Sequence, residues 1–303
     1  MAETTLKPEA LTTINPWWEM LTEVGTFFRG MTRNRAGFAG LIVVVLIVLI
    51  EVLGPFFTPA NPTDVAHIYN GPSGVHLFGT DSQGRDILLE MIDGGRAIII
   101  VGALSAVIAT FIAITLGSLS AYVGGAVDAI IMMAADIFLA VPGIVLLAVL
   151  AAFVRLENVV LLSLIIAALS WPVLTRAIRS QVLSLREREY VEAARLLDLG
   201  TPRILFLEII PNMASFIIMN YVLLMTGGIY YLVFLYVLGL APFAGGDSWG
   251  IMINLAWTRG AIYFKGSFLY IMAPTLAIAA LQLALVTMAR SLDDIFNPRL
   301  RRV

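Results

Sequence analysis

Six apolar segments dominate this chain, and each is long enough to cross a lipid bilayer as a helix. A bilayer core about 30 Å thick requires roughly 20 helical residues. Backbone polar groups inside lipid must be hydrogen-bonded within the chain, which favours helices. The sequence therefore predicts an all-α membrane protein with six transmembrane helices, at about residues 38–57, 97–122, 129–153, 159–173, 213–240 and 267–289. The fourth is the shortest, because Pro172 interrupts it and leaves its end open.

The composition supports the membrane class and excludes several kinds of catalytic site. Charged residues make up 13% of the chain, against about 25% in a typical soluble domain. There are no cysteines, which excludes disulfides, thiol nucleophiles and cysteine metal sites. The histidines, His67 and His76, and the lysines, Lys7 and Lys265, fit no zinc-protease or phosphate-loop pattern. We therefore expect no enzyme activity and no metal site, and any ATP hydrolysis must come from a partner.

The distribution of basic residues predicts the orientation of the helices. Of the 19 lysines and arginines, 14 lie on the side that holds the N-terminus and five lie on the opposite side. Because cytoplasmic loops are enriched in basic residues, we expect both termini and the 190–212 loop in the cytoplasm. The chain then divides into a cytoplasmic tail (1–36), a first transmembrane helix with an outer loop (37–96) and a core (97–303).

The tail carries an apolar stripe at helical spacing. Its members recur every three or four residues, and three arginines lie close by; they are Trp17, Leu21, Val24, Phe28 and Met31. This pattern predicts an amphipathic helix in the membrane interface. The alternative is that the same stripe packs on the transmembrane bundle.

Charged residues and small-residue stripes inside the predicted spans raise questions about packing. Asp136 lies well inside the third span and should face protein or water rather than lipid. It is either a polar contact in a transport path or, as we favour, a buried hydrogen-bond anchor between helices. Glu51 lies near the outer end of its span, and we expect it to reach the interface.

In the second span a small residue recurs at every fourth position, which allows close packing within the chain or against a partner.

A charged, amphipathic segment lies between two apolar runs at 190–212. Glu192, Ala193 and Ala194 favour a helix, leucines follow on one side, and Gly200 with the nearby Pro202 ends the helix. A second run then leads to Pro211, just before the fifth span. This predicts a short helix–turn–helix at the membrane surface. From these residues alone, a partner-docking role and an ordinary connector both remain open.

The segment resembles the cytoplasmic loop of ABC-importer permeases, in which an E-A-A start and a later Ile-x-Pro ending form the contact with an ATPase. The match includes Ile209, while Asp198 stands at the glycine of the motif and Gly200 follows two residues later. The left-handed turn therefore lies at Asp198 or at Gly200. The resemblance implies a coupling loop at about 186–212, with ATPase-coupling residues Tyr190, Glu192, Ala193, Ala194, Leu197, Asp198, Gly200 and Pro211.

The outer loop contains a second motif, G-T-D-x-x-G-R-D, within 76–87. It resembles the signature of the C-type subunit of dipeptide and oligopeptide importers, and its residues are Gly79, Thr80, Asp81, Gly84, Arg85 and Asp86. We expect a structural role, with Arg85 pairing with Asp81 and Asp86 to fix the loop. Weaker matches at 122–142, 247–250 and 291–301 extend the resemblance over nearly the whole chain.

The resemblance implies a type I ABC importer permease fold in the cytoplasmic (inner) membrane, in the peptide/opine/nickel group. Its partners would be a sister permease, two ATP-binding subunits, an extracytoplasmic solute-binding protein and membrane lipid, but no nucleic acid. ATP and Mg would be bound by the ATPases, so this chain holds no cofactor. The expected cargo is peptides, with oligosaccharides or nickel chelates as alternatives. A stand-alone secondary transporter is the remote alternative, because Asp136 alone offers an ion site.

Overall fold

The computed structural model describes residues 34–154, 158–240 and 248–296, with side chains described as far as 292. The predicted tail helix at 17–31 lies outside these ranges. Within them the regular secondary structure is helical, apart from one isolated bridge between Thr80 and Asp86 in the outer loop. We label the α-helices of eight or more residues α1 (Arg35–Leu53), α2 (Ile87–Gly94), α3 (Arg96–Val123), α4 (Gly125–Ala140), α5 (Gly143–Phe153), α6 (Val159–Leu185), α7 (Glu189–Leu196), α8 (Ala214–Val237), α9 (Trp249–Thr258) and α10 (Phe268–Phe296).

Six membrane crossings fit the described helices only if one crossing is broken. Five apolar helical units are long enough to span a bilayer: Arg35–Phe56, Ile87–Val123, Val159–Leu185, Thr201–Val237 and Lys265–Leu292. The sixth consists of α4 and α5, which are bent by 79° relative to each other. The span predicted at 129–153 therefore consists of two helices that meet at Pro142, where the chain does not continue the first helix. Val141 adopts an extended conformation, as expected for a residue that precedes proline.

The fourth crossing is longer than the predicted 159–173. Helix α6 continues through Pro172 and ends at Leu185. Pro172 is buried, and the surrounding contacts with α3, the most extensive between any two described helices, hold the helix together despite the missing backbone donor. As a result Arg176 and Arg179, which the orientation argument counted as loop residues, lie inside a candidate span. The remaining basic residues still favour the same side.

Helix α3 is the centre of the bundle and packs against both α6 and α8. Its small-residue stripe is buried within this chain: Ser105, Ala109, Ala113, Gly117 and Ala121. A Cβ atom on Gly117 would lie 2.7 Å from the carbonyl oxygen of Thr175 in α6. A Cβ atom on Gly228 in α8 would lie 2.5 Å from the Ser105 hydroxyl. Of the two alternatives for this stripe, close packing inside the subunit is therefore the correct one.

Helix α1 lies at the edge of the bundle, where it packs along α10. Its Glu51 does not reach the interface, so that expectation is wrong. The side chain is buried, and one carboxylate oxygen accepts a hydrogen bond from the Gly95 N–H at 2.7 Å. Gly95 is the N-cap of α3 and offers no side chain of its own. Glu51 therefore satisfies a backbone donor at the start of α3.

Candidate functional site

The 186–212 segment forms the helix–turn–helix that its sequence predicts. Its first helix, α7, has acidic residues in the first turn and Arg195 in the last. This order complements the helix dipole. The second half begins at Thr201, passes through the π-helical stretch Ile204–Ile209 and continues into α8. The second half and the fifth crossing thus form one helical unit, Thr201–Val237.

Asp198, rather than Gly200, makes the left-handed turn between the two halves. The φ angle of Asp198 is 54°, whereas Gly200 has φ −56° and ψ 151°. The Asp198 N–H donates to the Arg195 carbonyl at 2.9 Å, and the Leu199 N–H donates to the Ala194 carbonyl at 3.2 Å. These two bonds form the Schellman motif, which satisfies the last carbonyls of a helix. The turn has therefore stayed at the glycine position of the motif.

One face of the segment is buried against the transmembrane helices. Its apolar side chains form a cluster with residues of α3 and α6, and the members from the segment are Val191, Ala194, Ile204, Leu205 and Ile209. Arg186 donates from Nη1 to the carbonyl of Ala121 at 2.7 Å. The Arg195 guanidinium lies 5.8 Å from the ring centre of Tyr122, within the range of a cation–π contact. The segment is thus attached to the ends of α3 and α6.

The opposite face of the segment carries large apolar side chains that are exposed in the isolated chain. Four large side chains are each at least 60% exposed: Leu196, Leu197, Phe206 and Leu207. Glu192 and Ala193 lie on the same exposed side of α7. A groove of about 210 Å³ separates the segment from α3 and is lined by residues that include Pro202 and Phe206. Several large exposed apolar side chains on one short segment indicate an interaction site.

Other predicted coupling residues occupy different positions in the segment. Ala194 belongs to the buried cluster and is not on the exposed face. Tyr190 is 37% exposed, and partial burial raises the pKa of its hydroxyl group. Pro211 is exposed and begins the short 3₁₀ turn that leads into α8. The predicted coupling residues are therefore of two kinds: some are exposed, and others pack against the transmembrane helices.

The outer-loop motif is fixed by a network centred on two aspartates. Asp81 is fully buried and accepts hydrogen bonds from the N–H groups of Gln83 and Arg85, at 2.7 and 2.8 Å. Asp86 caps α2 by accepting from the Leu88 N–H at 2.8 Å. The Arg85 guanidinium pairs with Asp81 and with Glu90. The predicted pair between Arg85 and Asp86 is wrong, because the capping carboxylate points towards His76 at 2.9 Å.

Backbone packing explains the other members of this motif. Gly79 and Gly84 have φ angles of 80° and 75°. A Cβ atom on Gly84 would lie 1.7 Å from the carbonyl oxygen of Asp64, so no other residue fits there. The Thr80 hydroxyl accepts from the Asn70 N–H at 2.9 Å. The loop also contacts the chain after α9, where the Tyr69 hydroxyl donates to the Arg259 carbonyl at 3.0 Å.

Two ion pairs join α4 to α6. Arg179 binds both carboxylate oxygens of Asp128, at 2.6 and 2.5 Å. Asp136 forms an ion pair with Arg176. Asp136 does connect two helices, but the prediction that it is buried is wrong, because its side chain is 59% exposed in this chain. The sequence did not reveal the arginine partners, because the fourth span was expected to end before them.

Comparison with known families places these features in context. Residues 113–302 match the family model described as binding-protein-dependent transport system inner membrane component. The match covers more than half of the 303 residues and includes α6, α7, α8, α9 and α10. This chain belongs to that family. Residues 24–72 of the permease also match a model described as the N-terminal transmembrane domain of oligopeptide transport permease C.

Named relatives of the permease come from several bacteria. A putative peptide permease protein of Brucella suis is 33% identical over 88% of both chains. An oligopeptide transport system permease protein of Bacillus subtilis is 34% identical over 78% of this chain and 80% of its own. A dipeptide transport system permease protein of Haemophilus influenzae is 29% identical over 93% of this chain and 96% of its own.

Membership of the family defines the broad class of this permease. It has the type I permease fold and is a multi-pass protein of the inner membrane. It is a transport component and is not itself catalytic. The residues that the structure describes contain no group of three or more His, Asp or Glu side chains placed to hold a metal ion. The 186–212 segment lies wholly inside the part that matches the family model.

Proposed function

We propose that this chain is a permease subunit of an ATP-driven importer of peptides. The cargo is inferred from the relatives, whose names describe peptide, oligopeptide and dipeptide permeases. Oligosaccharides and nickel chelates are the alternative cargoes. In this proposal the passage across the membrane forms between this chain and a sister permease, and an extracytoplasmic solute-binding protein delivers the peptide.

The exposed apolar face of the 186–212 segment carries the proposal that an ATP-binding subunit docks there. Leu196, Leu197, Phe206 and Leu207 are exposed apolar side chains on a segment whose other side is packed in a buried cluster. Burying such a surface against a partner releases water and stabilises the contact. Glu192 at the edge of this surface offers a charge that can fix the register of the partner.

Orientation and cofactors follow from the same assignment. The segment and both termini lie in the cytoplasm, in agreement with the excess of basic residues on that side. Two ATP-binding subunits hold ATP and Mg, because this chain has no phosphate-binding loop. The membrane lipid surrounds the apolar outer faces of the helices, and no nucleic acid takes part.

The packing of the segment suggests how ATP binding drives the bundle. When ATP draws the two ATPases together, each pulls on the helix that it contacts. Motion of α7 passes through the Asp198 turn to Thr201–Val237, which is one helical unit from the surface into the membrane. The buried cluster carries the same motion to α3 and α6. ATP must favour one arrangement of the bundle over the other for this cycle to run.

A charged residue on the exposed face tests the docking role. The importer is co-expressed, and co-purification of the ATP-binding subunit is measured for Leu197→Asp. We expect capture of the ATPase to fall by about tenfold or more, since a carboxylate replaces a buried apolar contact. Phe57→Asp is the matched control, because Phe57 is equally exposed but lies in the loop after α1. Unchanged capture and unchanged uptake by Leu197→Asp would refute the docking role.

The cargo requires a separate measurement. The reconstituted complex, with its binding protein, is supplied with radiolabelled trialanine in the presence of ATP. Competition by unlabelled peptides, oligosaccharides or nickel chelates then distinguishes the three classes. Peptide import requires that peptides compete and that the other two classes do not.

A further inference from the structure

An exposed stretch of the broken crossing carries a charged side chain although it lies inside the membrane-spanning part of the chain. Residues 136–142 are all exposed, and they include Asp136, the end of α4 and the break before Pro142. The facing helix α6 contributes Arg176, whose side chain is 46% exposed. The two helices are in direct contact here, since the rings of Phe138 and Trp171 lie 5.6 Å apart.

Both charges lie deep along their helices when measured from the side of the 186–212 segment. Asp136 is 11 residues from the start of α4, and Arg176 is nine residues from the end of α6. At about 1.5 Å per residue, both charges lie roughly 13–17 Å along their helices. A half-exposed ion pair at that depth is costly if it faces lipid.

The backbone of the same two crossings points to the same conclusion. The break at Val141 and Pro142 interrupts the helical hydrogen bonds between α4 and α5. In α6, Pro172 has no N–H group, so the carbonyl of Ala168 lacks its usual helical donor. Ala168 is exposed. Irregular backbone at membrane depth is tolerated where protein covers it or where it lines a water-filled cavity.

We infer that the face formed by the exposed stretch and Arg176 lines a water-filled passage and that the Asp136–Arg176 pair is a contact site for solutes that carry both charges. The inference rests on the proposed function, since a peptide with free termini is such a solute. The Asp136 carboxylate accepts hydrogen bonds from an ammonium group, and the Arg176 guanidinium binds a carboxylate in two-point geometry. The neighbouring Asp128–Arg179 pair is more enclosed, and both its carboxylate oxygens are occupied, so it serves the packing of α4 on α6.

Access of water to the face is directly measurable, because the chain contains no cysteine. Single cysteines are introduced by Ile137→Cys and Phe111→Cys in the complete importer, in vesicles opened to both sides. Ile137 and Phe111 are 62% and 71% exposed. Ile137 lies 12 residues after the start of α4 and Phe111 lies 12 residues before the end of α3, so both are equally far from the turn that joins the two helices. Phe111 belongs to an apolar face of α3. A charged, membrane-impermeant maleimide should label Ile137→Cys at least about tenfold faster than Phe111→Cys. Equal labelling rates would contradict a water-filled passage. This outcome is also expected if the sister permease packs on the face and excludes water.

Solute contact is tested with a second cysteine and a peptide. Leu139→Cys is labelled in the presence of millimolar trialanine or of N-acetyl-trialanine amide, which has no charged terminus. Trialanine should slow the labelling at least about threefold and the blocked peptide should not, because only free termini form charge-assisted bonds. Asp136→Asn with Arg176→Gln should abolish the protection, and a labelling rate without peptide equal to that of the parent is the check that the variant has kept its structure.

The outcomes separate this inference from the proposed function. If the importer transports trialanine but trialanine gives no protection, the contact site is wrong and the importer assignment stands. Equal protection by both peptides also overturns the charge contact. If the importer transports no peptide and yet Ile137→Cys is labelled rapidly, the peptide cargo is wrong and the passage stands.

Discussion

Arg179 binds Asp128 through two parallel hydrogen bonds, from Nε to Oδ1 at 2.6 Å and from Nη2 to Oδ2 at 2.5 Å. The contact joins α6 to α4 across 51 residues of sequence. Ser120 of α3 donates to the same carboxylate, so three helices meet at one side chain. The start of α4, the first half of the broken crossing, is therefore fixed to α3 and α6. The other end of α4 lies at the bend before α5.

Removing this contact should loosen α4. We expect Arg179→Gln to lower the free energy of unfolding by about 1–3 kcal/mol, the usual range for hydrogen bonds to a charged group. Glu187→Gln is the control, since its ion pair with Arg186 is more exposed and should contribute less than about 1 kcal/mol. Thermal unfolding in detergent measures both. Equal losses of unfolding free energy would contradict the prediction, because the Arg179 contact would then contribute no more than the exposed pair.

Two adjacent alanines of α7 should differ in how a larger side chain affects the stability of the protein. Ala194 is buried in the cluster beneath the helix, whereas Ala193 is exposed. Ala194→Leu should destabilise the protein by about 1–3 kcal/mol, because the cluster must open to receive the extra atoms. Ala193→Leu should leave the melting temperature unchanged and weaken capture of the ATP-binding subunit. A stable Ala194→Leu variant would contradict the described packing.

The left-handed backbone at Asp198 predicts which side chains are tolerated at this position. A non-glycine residue in the left-handed region carries a strain of about 1–2 kcal/mol, which aspartate reduces through its short polar side chain. Asp198→Val should therefore destabilise the segment by roughly that amount, and Asp198→Gly should be tolerated. Gly200→Ala is the control, because Gly200 has a negative φ and its added Cβ meets only the Pro202 ring, at 3.9 Å. Circular dichroism melts of the three variants test the order.

Hydropathy predicted the number of crossings because lipid imposes a minimum helix length. The start of α2 follows a local signal, because aspartate favours the N-cap position and α2 begins at Ile87 directly after Asp86. Pro142 and Gly143 stand at the break in the third crossing, but the 79° bend depends on what α5 packs against. Gly143 leaves just enough room for Tyr231 of α8, whose hydroxyl would lie 2.4 Å from an added Cβ.

The partners across helices could not be predicted. Periodicity gives the spacing of residues on a helix but not the direction in which each helix is turned within the bundle. Glu51 was therefore expected at the interface, although it binds the start of α3. For the same reason Arg85 was expected to pair with Asp86, its neighbour in the sequence. In the fold it pairs instead with Glu90 of α2. In the 186–212 segment, the sequence alone could not show which of Ala193 and Ala194 is buried.

Arg85 provides the last test, since it is the cation beside two fully buried carboxylates, those of Asp81 and Glu90. Arg85→Ala should lower the free energy of unfolding by about 3–5 kcal/mol, because removing one partner of a buried ion pair leaves charge in the interior. Arg85→Lys keeps the charge but loses the forked geometry, so its loss should be intermediate. Protease digestion of the outer loop and thermal unfolding measure the effect. The uptake preference among peptides should stay the same in both variants, because these contacts are made within the loop and with α2. A changed preference at unchanged stability would instead assign Arg85 to the solute.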